Sequence, residues 1–123
     1  MDIRETVPAD LDDLRRLYAD AFPDEDLLPL LEELLARPEE TVSLAAVEGG
    51  TVAGHILFTF CRVESEPGTL ALLGPLAVRP GRQRQGAGTA LVRAGFGRLE
   101  DAGVSRVYVL GDPAYYSRFG FAP

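Results

Sequence analysis

At 123 residues, 46% of them apolar and 25% charged, the chain has material for one hydrophobic core and not for two. A single cysteine, Cys61, excludes an intrachain disulfide. No apolar run approaches the ~20 residues that span a bilayer, and the acidic start MDIRETVPADLDD carries no apolar h-region of a secretory signal.

Residues 2–6 are predicted as a short strand. Pro8-Ala9-Asp10 then opens a helix with Leu11, Leu14, Leu17, Tyr18 and Ala21 at helical spacing, stopped by Pro23. A second amphipathic helix is predicted over about residues 25–37, carrying Leu27, Leu28, Leu31, Leu34 and Leu35, with Pro38 closing it. Strands at 41–47 and 51–61 meet at Glu48-Gly49-Gly50, a hairpin turn. A polar turn at 64–68 leads into a strand over 69–78. Inside that strand Gly74-Pro75 conflicts with a central ladder, because proline has no N–H to donate. A bulge is therefore predicted, bending the strand and opening the backbone of 76–78 to a ligand.

A helix follows from about residue 88 to 102, packing Leu91, Val92, Phe96 and Leu99 and capped by Gly103. Residues 106–110, RVYVL, form a short buried strand. Asp112-Pro113 starts a short helix through Tyr115, Tyr116 and Phe119. The order βααβββαβα predicts a single α/β domain, residues 1–123, with helices on both faces of its sheet.

Charge is unevenly spread along the net −7. Residues 1–66 hold 16 of the 19 acidic groups and 5 of the 12 arginines, whereas residues 67–123 hold 7 arginines against 3 acids. The basic half suits a phosphate-rich ligand. The acidic half is either a lure for a cationic amine or solvated helix surface. No dense basic stripe with interleaved aromatics speaks for nucleic acid. A cytoplasmic protein that uses no metal, membrane or nucleic acid is expected.

The chemistry concentrates in LGPLAVRPGRQRQGAGTAL, residues 73–91. A strand runs into a basic, glycine-punctuated turn that opens a helix, where backbone N–H groups lack intrahelical partners and the helix dipole is positive. Gly86 and Gly88 keep side chains out of the way of a diphosphate. Arg82 and Arg84 add full charge at the same mouth. A P-loop needs a lysine, and the chain has none. The dinucleotide fingerprint needs a third small residue where Leu91 stands.

What does fit is Gln83-x-x-Gly86-x-Gly88, preceded by Leu76-x-Val78-x-Pro80. This resembles the acetyl-CoA signature of the GNAT family of N-acetyltransferases. The closing LGDPAYYSRFGF and the GHILF run at residues 54–58 resemble its YhbS-like subgroup. The resemblance covers essentially the whole chain. It implies the GNAT acyl-CoA N-acyltransferase fold, a mixed, mostly antiparallel sheet whose bulged strand is splayed from the next to admit the pantetheine arm.

The resemblance further implies acetyl-CoA as cosubstrate and an amine of a small molecule or peptide as acceptor. The backbone of Leu76, Ala77 and Val78 would pair with the pantetheine, and the Leu76 N–H would polarise the thioester carbonyl. Arg82, Gln83, Arg84, Gln85, Gly86, Ala87, Gly88 and Thr89 would hold the pyrophosphate. Tyr116 would protonate the departing thiolate, Tyr115 being the less suited neighbour. The general base is left open between His55, Glu25, Asp26 and a water chain, and His55 also reads as a hydrogen-bonded structural histidine. GNAT domains continue with two further strands beyond the matched Gly-Phe pair, whereas this sequence stops at Pro123. The expectation is a shortened domain, an open acceptor site or an edge completed by a second copy in a homodimer. A non-catalytic acyl-CoA-binding module is the alternative reading of the function.

Overall fold

The computed structural model describes residues 1–62, 64, 68–82 and 86–109. Among them five strands make one sheet in the order β1 (Asp2–Glu5), β2 (Thr41–Glu48), β3 (Thr51–Cys61), β4 (Thr69–Val78) and β5 (Val104–Val109). The first four are antiparallel to their neighbours, and β5 is parallel to β4. The connections explain both arrangements. Between β2 and β3 stand two residues, Gly49 and Gly50, both at positive φ (58° and 78°). Such a turn matches the twist of an antiparallel pair. Between β4 and β5 runs the helix α3 (Ala87–Asp101), a crossover that returns the chain in its original direction.

Helices cover both faces. Leu14, Leu17 and Tyr18 of α1 (Leu11–Ala21) and Leu31 of α2 (Leu28–Leu35) share one core with Ala45, Val52 and Ala77. On the opposite face Leu91, Val92 and Leu99 of α3 pack on Leu44, Ile56, Phe58 and Leu73. Residues 44 to 46 of β2 are all buried, two toward α3 and one toward α1. Burial on both faces is why the central strands read as continuous apolar runs. Gly95 is where α3 meets the ring of Phe58. A Cβ there would overlap Phe58 Cε2 and lie 2.6 Å from Cζ.

The mixed sheet with helices on both faces agrees with the sequence reading, and the element ends shift for identifiable reasons. The first helix begins later than expected, because Pro8–Asp10 form a 3₁₀ turn. The Asp10 carboxylate locks that turn by accepting the Val7 N–H at 2.7 Å and both Arg4 Nη groups at 2.8 and 2.9 Å. The second helix is shorter than the predicted 25–37. Its start is set by Pro29, which sits in the first turn where a missing N–H costs nothing. The fifth strand starts at Val104, two residues early, and is not buried as expected: Ser105, Arg106 and Tyr108 are exposed. Leu110 and the helix predicted from residue 112 lie outside the described residues.

Candidate active site

The predicted bulge lies in β4. Leu73 is opposite Phe58 and Leu76 opposite Ile56, so Gly74 and Pro75, joined by a cis peptide, together face Leu57 alone. Below the bulge, Thr69 to Leu73 pair with β5. Above it, Leu76, Ala77 and Val78 pair with Ile56, His55 and Gly54 of β3. Arg79 fastens this upper half, its amide donating to the Ala53 carbonyl at 2.8 Å and its Nη2 to the Val52 carbonyl at 2.9 Å. Amide direction alternates along a strand, so the Leu76 N–H points away from β3, to the side on which pairing with β5 has ended. The side chains of Leu76 and Ala77 are committed to the two cores. What this stretch presents to a ligand is backbone.

The chain then passes through a 3₁₀ turn, Pro80–Arg82, and reaches α3. Gly86 caps that helix in the left-handed conformation (φ 87°), and a Cβ at this position would meet nothing within 4 Å. The first intrahelical bond is Ala90 N–H to the Gly86 carbonyl, 2.9 Å. The amides of Ala87, Gly88 and Thr89 therefore have no intrahelical acceptor. Among the described residues no side chain caps this end, and its first turn holds no acid. Amides without an intrahelical acceptor, at the positive end of the helix dipole, are chemically suited to an anion. Gln83, Arg84, Gln85 and Tyr116 lie outside the described residues.

His55 is fully buried. Its Nδ1 is 2.7 Å from Tyr18 Oη and its Nε2 is 2.8 Å from Ser43 Oγ. Burial pushes the imidazole down to about 3, against a weak opposing pull from Asp10. It is thus a neutral, fully bonded ring at ordinary pH, in keeping with the structural reading. Asp10 is also held below the usual carboxylate range, chiefly by its Arg4 hydrogen bonds. Both depressed groups bind protons in the unfolded chain before the folded one. Stability is therefore full above about pH 6.5 and falls as pH drops toward 3, first through His55 and then also through Asp10. Urea midpoints measured from pH 8 to 4 should decline below 6.5, and His55→Gln should flatten the decline between 6.5 and 4.5. An unchanged slope in that variant would refute the assignment. Of the other base candidates, Glu25 and Asp26 border a cavity of about 420 Å³ at the α1–α2 turn, together with Tyr18 and Phe22.

The chain matches the model of the acetyltransferase (GNAT) family over residues 11–121. It belongs to the GNAT acetyltransferase family. The uncharacterised N-acetyltransferase YjhQ of Escherichia coli is 40% identical, across 96% of this chain and 67% of YjhQ. A GNAT acetyltransferase of Brucella melitensis, solved with acetyl-CoA, superimposes with a TM-score of 0.90 at 35% identity, over 99% of this chain and 82% of that one. YhbS of Escherichia coli, solved with CoA, gives a TM-score of 0.90 at 33% identity, over 98% and 68%. The YhbS-like subgroup inferred from LGDPAYYSRFGF is thus among the relatives found. What sequence reasoning missed is the bonded set around His55, because Tyr18, Ser43 and His55 are brought together only by the fold. The presence of one histidine in an apolar strand was the sole signal.

Proposed function

We propose that residues 1–123 act as one GNAT catalytic domain, transferring the acetyl group of acetyl-CoA to an amine of a small molecule or peptide by direct attack. The observation that carries this reading is the uncapped start of α3, directly after a bulged strand. Three amides with no intrahelical acceptor, no acid in the helix's first turn and, among the described residues, open space over Gly86 fit a diphosphate. Support also comes from the Brucella and YhbS structures, which hold acetyl-CoA and CoA at 35% and 33% identity.

When bound, acetyl-CoA supplies an acyl group activated as a thioester. The chain's own groups do the rest. Ala87, Gly88 and Thr89 amides, with Gly86 and the residues Arg82, Gln83, Arg84 and Gln85 before it, hold the pyrophosphate. Leu76, Ala77 and Val78 line the pantetheine arm. The Leu76 N–H, aimed away from β3, donates to the carbonyl oxygen as charge gathers there. Tyr116 gives its phenolic proton to the departing thiolate. The proposal extends to a cytoplasmic protein that pairs with a second copy, with light scattering at high concentration as the check. A species of monomer mass only would remove the pairing.

A negative charge placed in the cradle should be costly. Gly88→Asp is expected to weaken acetyl-CoA binding about 10- to 100-fold, some 1.4–2.8 kcal/mol, well within what two like charges a few Å apart cost. Gly97→Asp adds the same charge where a Cβ meets nothing within 4 Å, nine residues further along α3. It should leave affinity alone. Calorimetric titration of both variants decides the point, and equal affinities would count against the cradle. Turnover is read as CoA thiol release from acetyl-CoA with spermidine, kanamycin, 2-phenylethylamine and a short peptide amine.

A further inference from the structure

A cavity of about 560 Å³ lies between the ends of β1 and α2 and the starts of α1 and β2, walled by Leu11, Leu14, Leu35 and Pro38. That volume falls within the range of small-molecule sites. The cavity stands apart from the strand proposed to hold the cofactor. Ser43, on its β2 wall, pairs with Leu57, which faces the Gly74-Pro75 bulge. Two strand spacings, roughly 10 Å, thus separate Ser43 from the bulge. Leu57, between them, is fully buried.

The polar lining narrows what can occupy this space. Among the described residues its charged members are Glu5 and Glu32, with no arginine, so an anion would find no countercharge. Both carboxylates are already matched, Glu5 by Arg98 and Glu32 by Arg15, whose Nη2 and Nε lie at 2.8 and 2.9 Å. No unmet negative charge calls for a cation. Thr41 gives its hydroxyl proton to the Arg37 carbonyl at 3.3 Å. What remains is a pair of hydroxyls, Thr6 Oγ1 and Ser43 Oγ, 2.6 Å apart.

This pair is the outer end of a hydrogen-bonded chain. Ser43 Oγ is 2.8 Å from His55 Nε2, and His55 Nδ1 is 2.7 Å from Tyr18 Oη. With a proton on Nε2, the imidazole donates to Ser43, and one of the two hydroxyl protons is not used within the pair. With Nε2 bare, Ser43 donates to it and Thr6 donates to Ser43, leaving Thr6 Oγ1 with lone pairs to accept. The cavity therefore meets a donor in one tautomer and an acceptor in the other. An ammonium can only donate, and a carboxylate can only accept. A hydroxyl does both. We propose that this cavity is a binding site for a small uncharged alcohol or phenol, its apolar body against Leu11, Leu14, Leu35 and Pro38 and its hydroxyl on the Thr6–Ser43 pair. The site does not depend on acetyl transfer.

Four probes of nearly one size separate the classes: 2-phenylethanol, ethylbenzene, 2-phenylethylamine and phenylacetate. Each is titrated into the protein with and without CoA, and the ring ¹⁵N signals of His55, the sole histidine, report on the bond to Ser43. 2-Phenylethanol should move these signals saturably, with a Kd of about 1 mM or below, within reach of a ligand of this size. CoA should not change that value. Ethylbenzene should bind about 3- to 10-fold more weakly, the usual worth of one hydrogen bond, and the amine and the carboxylate should also bind more weakly than the alcohol. Thr6→Val keeps the shape of the wall and removes the outer hydroxyl, so 2-phenylethanol should fall to the affinity of ethylbenzene. No saturable shift with any probe would overturn the site, as would displacement of 2-phenylethanol by CoA. Equal affinity for the alcohol and ethylbenzene, an advantage that survives Thr6→Val, or tighter binding of the amine or carboxylate would overturn the ligand class. The comparison of probes on the parent protein decides the class even if Thr6→Val fails to fold.

Discussion

Tyr116→Phe should lower turnover by roughly 10- to 10³-fold, within the usual range for an acid–base group, while acetyl-CoA affinity stays within about twofold, under 0.5 kcal/mol. The substitution keeps the ring and removes one proton. A thiolate expelled into a cleft from which water is excluded is a poor leaving group unless a donor stands next to it. On the proposed reading the phenol is that donor, from its position in the closing LGDPAYYSRFGF, five residues before the phenylalanine of the Gly-Phe pair. The effect should fall on kcat, since the proton is needed as the carbon–sulfur bond breaks and not when the cofactor binds. Tyr115→Phe is the control and should retain nearly full activity. Stopped-flow single turnovers with a good amine separate the chemical step from product release. Equal single-turnover rates for Tyr116→Phe and the parent would remove Tyr116 from this role.

The largest effect on stability is expected at a glycine in the middle of α3. Helix propensity alone favours replacing Gly95, because glycine costs about 1 kcal/mol against alanine inside a helix. Packing opposes it. Phe58 is fully buried, its ring faces Phe96 at 6.4 Å between centroids, and a Cβ at position 95 would overlap it. Gly95→Val should therefore destabilise by about 3 kcal/mol, the upper part of the range for overpacked cores, lowering the melting temperature by roughly 10 °C for a domain of this size. Gly97→Ala, two residues along the same helix with nothing within 4 Å of its Cβ, should instead stabilise by about 0.5–1 kcal/mol. Differential scanning calorimetry on the pair tests the idea, and similar shifts in both variants would show that the Phe58 contact has no such weight.

Local signals were strong enough to place every described strand and α-helix in the sequence. Gly74-Pro75 could be read as a bulge because a proline amide cannot serve a central ladder, and Gly49-Gly50 as a hairpin because two adjacent glycines supply the two positive φ angles. The misplaced boundaries trace to contacts between distant residues or to a subtler cap. Nothing in Pro8-Ala9-Asp10 announces that Arg4 will seize Asp10 and hold a 3₁₀ turn, and the helix predicted over 25–37 starts only at Leu28, with Pro29 in its first turn. The proposed diphosphate cradle was legible because its donors are consecutive backbone amides. The chain from Thr6 to Tyr18 was not, because its links join residues 37 and 12 positions apart. Such links exist only once β1, β2, β3 and α1 have come together.

A crystal structure of this protein with CoA bound is the most direct examination of the diphosphate site. The pyrophosphate should lie within hydrogen-bonding distance of the Ala87, Gly88 and Thr89 amides, with the pantetheine along Leu76 to Val78 and its sulfur near the Leu76 N–H. A cofactor seated elsewhere, or an α3 start filled by the protein's own side chains, would contradict it.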